Sequence, residues 1–89
     1  MKVNNNLRIN IGDFIRKARK DKSLTAKELG NLVGVSQQQI SRYELGITSM
    51  NFETLEVFIY VLDESWESFF HNVIDDYEVN SLRDNLYNL

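Results

Sequence analysis

The chain has no cysteine, no proline, one histidine and only four glycines in 89 residues. Each scarcity removes a class of protein. Without thiols there is no disulfide framework and no thiolate metal site, which fits a reducing compartment. His71 is the sole imidazole, so no Ser/His/Asp set or histidine-rich metal site can be drawn, and no Gly-rich phosphate loop is present. Asp75, Asp76 and Glu78 cluster without the spacing of a calcium loop. Neither enzyme chemistry nor a cofactor nor a bound metal is expected. The longest apolar run, Val57 to Leu62, is far short of the roughly 20 residues of a membrane span. Met1 to Asn6 lacks the apolar core of a signal peptide, so the expected location is the cytoplasm.

What is present is a balanced composition, 43% apolar and 26% charged, enough for one domain with a modest core. The net charge of −3 hides a division. Residues 1–43 hold nine Lys/Arg against three Asp/Glu, a net +6; residues 44–89 hold Arg83 alone against ten acids, a net −9. One pole of the molecule suits an anionic partner, and the other must face elsewhere.

Apolar residues recur at spacings of three and four throughout, and strand-like alternation is absent, so the chain reads as all-α with five helices and a short C-terminal helical extension. Residues 1–9 read as a polar, flexible arm, 10–73 as the main domain and 74–89 as the extension. Helix 1 is expected from about Ile11 to Asp21, with Asn10 as N-cap and Ile11, Phe14, Ile15 and Ala18 inward. Thr25 with Glu28, and Ser36 with Gln39, have capping-box spacing and open helices 2 and 3. Gly34, tolerant of positive φ, separates them. Helix 4 starts after Asn51 and carries Phe52, Leu55, Phe58, Ile59 and Leu62 on one face. Val57, Tyr60 and Val61 widen that stripe until the helix calls for burial on two sides. Helix 5, capped by Ser65, sets out Trp66, Phe69, Phe70, Val73 and Tyr77; a last turn or two bears Leu82, Leu86 and Leu89.

The two cap signals stand eleven residues apart with a glycine between, which leaves about eight helical residues and a tight turn. That is the spacing of a helix-turn-helix, here 25–45. In helix 3, Gln37, Gln38, Ser41 and Arg42 share one face, while Ile40 points the other way. Elsewhere three successive glutamines would be an ordinary polar surface. At the start of a second helix in this frame they have a use: Gln matches adenine N6/N7 and Arg matches guanine O6/N7, each pair worth roughly 1–3 kcal/mol of discrimination.

The ordered string Ile11-Gly12, Arg16-Lys17-Ala18-Arg19, Leu24-Thr25, Glu28-Leu29, Val33-Gly34-Val35-Ser36, Gln39-Ile40-Ser41, Glu44-Leu45-Gly46, Glu53-Thr54-Leu55 and Ser65-Trp66-Glu67-Ser68-Phe69-Phe70 resembles the lambda-repressor/Cro-like (XRE-like) helix-turn-helix family of bacterial and phage regulators. The resemblance covers residues 11–70. It implies double-stranded DNA as partner, helix 3 in the major groove, and Gln37, Gln38, Ser41 and Arg42 as base readers. It also implies a structural pair between Arg19 and Glu44. Helix N-termini and nearby cations point to Thr25, Lys27, Ser36, Arg16 and Lys20 as phosphate contacts, with Lys2 and Arg8 as additions from the arm.

Departures from the family pattern are Ser23 and Asp63 in place of glycine, Ala26 in place of glutamine, Leu45 in place of asparagine and Met50 in place of proline. They leave the loop after helix 3 poorly equipped to hold a phosphate. Regulators of this kind act as two-fold pairs on palindromic operators, and the apolar excess nominates Val57, Tyr60, Val61, Trp66, Phe70, Leu82 and Leu86 as a homodimer interface. A repressor associated with the nucleoid is the leading expectation. The alternative is a helical protein-binding module, such as an antitoxin that grips a toxin.

Overall fold

Helix formation begins earlier than the polar N-terminus indicates. In the computed structural model, which describes residues 6–75, helix α1 spans Asn6–Asp21. Leu7 and Ile11, one turn apart, both pack against the core and carry the helix back toward the N-terminus. Gly46 permits the same extension from the other side: a Cβ there would lie 2.9 Å from the Ile9 Cα. Over residues 6–9 the chain is thus helix where an arm is expected. Asn10 is interior rather than a cap, and residues 1–5 lie outside the described part.

Helices α2 (Ala26–Val33), α3 (Gln37–Glu44) and α4 (Phe52–Val61) follow, then α5 (Trp66–Phe69), which runs on into a π-helical stretch over Phe70–Ile74. Their starts are chemically marked. Thr25 N–H donates to Glu28 Oε1 at 2.8 Å, and Glu28 N–H donates to Thr25 Oγ1 at 3.0 Å, the full capping box. At Ser36 only half of the expected box forms: Gln39 N–H donates to Ser36 Oγ at 3.0 Å. Asn51 and Ser65 cap α4 and α5 through Thr54 N–H and Ser68 N–H.

Three helix ends share one device. After α1, α3 and α4 the chain closes with a pair of backbone bonds, Leu24 to Arg19 and Ser23 to Lys20 in the first case. The residue at the bend takes positive φ, and these are Ser23 (+57), Gly46 (+71) and Asp63 (+56). Two of the three are thus non-glycine residues in a glycine conformation.

The core forms where these helices meet. Ile15, Leu29, Ile40 and Phe58 are fully buried, and edge-on ring contacts link Phe14 to Phe69 and Tyr43 to Phe58. Phe52 departs from expectation: it is 79% exposed, because its place at the first residue of α4 carries it beyond the buried stripe of Leu55, Phe58 and Ile59. Within one chain α4 also buries one side only, leaving Tyr60 85% exposed and Val57 partly so. Among the described residues no helix is long and apolar enough to cross a membrane.

Candidate nucleic-acid interface

Helix α3 is held by three contacts that leave its opposite face free. Ile40 sinks into the core, and the Tyr43 ring meets Phe58 edge-on at 5.8 Å. At its C-terminal end Glu44 receives Arg19 of α1, with Nε to Oε2 at 2.6 Å and Nη2 to Oε1 at 3.0 Å. A third nitrogen, Arg19 Nη1, donates to the Leu24 carbonyl at 2.8 Å. One guanidinium therefore joins α1, α3 and the turn before α2. The Glu44 hydrogen bond and charge raise the Arg19 pKa against the opposing effect of burial. Beside this pair, Gly12 lets α1 lie on α3, since a Cβ at that position would stand 2.6 Å from the Glu44 carbonyl oxygen.

The face turned away from these contacts carries Gln37, Gln38, Ser41 and Arg42, all exposed. Gln39 between them is half-buried. Among the described residues, Arg42 is the one member with a side-chain partner: its Nε donates to Thr48 Oγ1 at 3.3 Å. Thr48 lies in the loop whose composition equips it poorly to hold a phosphate, and the sequence does not single it out. The available signal was Gly46, whose positive φ turns that loop back along α3.

Thr25, Lys27 and Ser36 are exposed at the N-terminal ends of α2 and α3, where first-turn N–H groups lack helical partners. The Glu28 carboxylate, bonded mainly by the Thr25 backbone N–H and then by its side chain, is held below the usual carboxylate range. Arg16 and Lys20 are exposed on α1, a separate element from the α2–α3 pair, and Arg16 shares a stripe with Gly12 and Arg19. Arg8 belongs to α1 rather than to an arm, and its Nε is enclosed with no hydrogen-bond partner among the described residues.

The residues nominated for a dimer contact divide. Val57, Tyr60 and Phe70 are exposed, whereas Val61 and Trp66 are partly buried against the core, and Leu82 and Leu86 lie outside the described residues. Phe70 flanks an open apolar groove of about 620 Å³ shared with Leu7, Ile11, Met50 and Phe52. His71 is exposed and sits 3.3 Å from Asp75, one turn on. Among the described residues no group of three His, Asp or Glu is placed to hold a metal ion.

A helix-turn-helix family model matches residues 15–67, more than half of the chain. Antitoxin PezA of Streptococcus pneumoniae serotype 4 is 32% identical over 74 residues, an alignment that takes in 78% of this chain and 47% of the relative. The chain spans about half the length of that relative. No solved structure matches significantly. The match covers α2, the intervening turn, α3 and the Arg19–Glu44 pair that anchors them, and the chain belongs to the lambda-repressor/Cro-like (XRE-like) helix-turn-helix family of DNA-binding proteins.

Proposed function

We propose that the protein is a sequence-specific transcriptional regulator that inserts α3 into the major groove of double-stranded DNA. The observation that carries this reading is the two-sidedness of α3. Ile40 is completely buried while Gln37, Gln38, Ser41 and Arg42 are all exposed on the other side. These four side chains supply amide, hydroxyl and guanidinium groups, the donors and acceptors that distinguish base edges in the major groove. The exposed N-terminal ends of α2 and α3, with Lys27, would meet the flanking phosphates and set the register.

The protein acts as a homodimer on a palindromic operator, most simply as a repressor that occludes a promoter. Two recognition helices then lie about one helical turn of DNA apart, roughly 34 Å. The exposed Phe52, Val57, Tyr60 and Phe70 support self-association, since a single chain leaves this apolar surface in water. Selection of bound duplexes from a random pool tests the reading: an inverted repeat should emerge, and no enriched sequence would refute it.

A second reading has one observation in its favour, the similarity to a protein named as an antitoxin. An acidic, apolar C-terminal half would suit a basic protein partner. Stoichiometric co-purification with such a partner, together with an absence of DNA selectivity, would favour it over the regulator.

A further inference from the structure

The loop after α3 has a task that its composition conceals. Ile47 N–H donates to the Arg42 carbonyl at 3.0 Å, and Gly46 N–H donates to the Tyr43 carbonyl at 3.1 Å. Those bonds, with φ of +71 at Gly46, fold the chain back along the last turn of α3. The next residue, Thr48, comes alongside Arg42, and Arg42 Nε donates to its hydroxyl oxygen at 3.3 Å. Thr48 is half-buried where the loop borders the apolar groove, whereas Arg42 is exposed. A side chain held by its surroundings thus steadies one that is not.

We infer that Thr48 is a positioning residue for Arg42, and that Arg42 reads a guanine end-on through its two terminal nitrogens. The inference rests on α3 being the DNA-reading helix. A guanidinium offers five N–H donors in one rigid plane. With Nε–H engaged by Thr48, the donors on Nη1 and Nη2 have no partner among the described residues, and they are the pair that spans guanine O6 and N7. The same bond favours one orientation of the plane before DNA arrives. Less side-chain entropy is then lost on binding, and a wrongly placed base cannot be met by swinging the fork aside. Thr48 needs no contact with DNA to act in this way.

The test uses the full chain and the duplex it selects from a random pool, together with duplexes changed at each half-site position. Thr48→Val keeps the shape of the side chain and removes its acceptor; Thr48→Ser keeps the acceptor. Thr48→Val should lower the preference for guanine at one position by about three- to tenfold, a hydrogen bond's worth. The salt dependence and thermal midpoint should stay at wild-type values, and Thr48→Ser should restore the preference. Equal weakening on every duplex, or an unchanged preference, would overturn the role of Thr48 while leaving α3 as the reader. If the unaltered protein selects no duplex, the assignment of α3 fails and this inference fails with it.

Discussion

Arg19 on α1 and Glu44 at the end of α3 meet side-on, with two nitrogen–oxygen contacts of 2.6 and 3.0 Å and side chains only 13% and 7% exposed. The pair ties α1 to the C-terminal end of α3. Its partners are both within the fold, although Glu44 lies inside the helix that carries the proposed base readers.

Breaking the pair from one side leaves a charge withdrawn from water without its partner. Arg19→Ala should therefore destabilise the fold by about 3–5 kcal/mol. Thermal denaturation followed by circular dichroism measures this. A loss within a few tenths of a kcal/mol would mean that the contact is as weak as an ordinary surface ion pair.

Ser23 invites a gain in stability. It adopts φ of +57 at the close of α1, a conformation that costs a residue with a Cβ about 1–2 kcal/mol. Glycine would relieve that strain and give back part of the gain through its freer unfolded chain. Ser23→Gly should raise stability by about 0.5–1 kcal/mol, or a few degrees in Tm. A lower Tm would show that the serine makes a compensating contact.

The capping box at α2 predicts a pH dependence with a definite sign. Glu28 is held below its ordinary value of 4.5, so its contribution to stability is complete above that value and is lost as pH falls through the folded-state pKa. The Thr25 backbone N–H is the larger cause, and Thr25→Ala retains it. An NMR titration of the Glu28 carboxyl carbon should show the midpoint only partly restored in that variant. Complete restoration would put the side chain first.

Base reading and phosphate contact separate by mutation. Arg42→Ala should lose discrimination at one base pair, by a factor equivalent to roughly 1–3 kcal/mol, whereas Lys27→Ala should weaken all duplexes alike and flatten the salt dependence. Fluorescence anisotropy titrations on matched and mismatched duplexes distinguish the two. Identical profiles for both variants would contradict the division of roles.

Much of this architecture was legible because its signals are local. Thr25 with Glu28, and the lone caps Ser36, Asn51 and Ser65, each announce a helix start within a few residues. The buried Ile40 beside exposed glutamines follows from helical periodicity alone. What escaped depends on contacts between distant segments. The first turns of α1 form where Leu7 and Ile11 reach the core and Ile9 rests on Gly46, 37 residues away in the chain. Phe52 is apolar in the right register but one turn too early to be covered. Thr48 gained its place from the fold of the loop, which a list of polar residues does not reveal. The π-helical stretch after Phe69 is likewise invisible to a count of threes and fours.

The most direct measurement is the affinity of the intact chain for its selected duplex as salt is raised. An outward α3 that reads bases between phosphate anchors predicts an enriched inverted repeat, with log affinity falling against log salt by about 0.9 per phosphate neutralised. Binding that ignores salt, or a pool that stays random after selection, would contradict it.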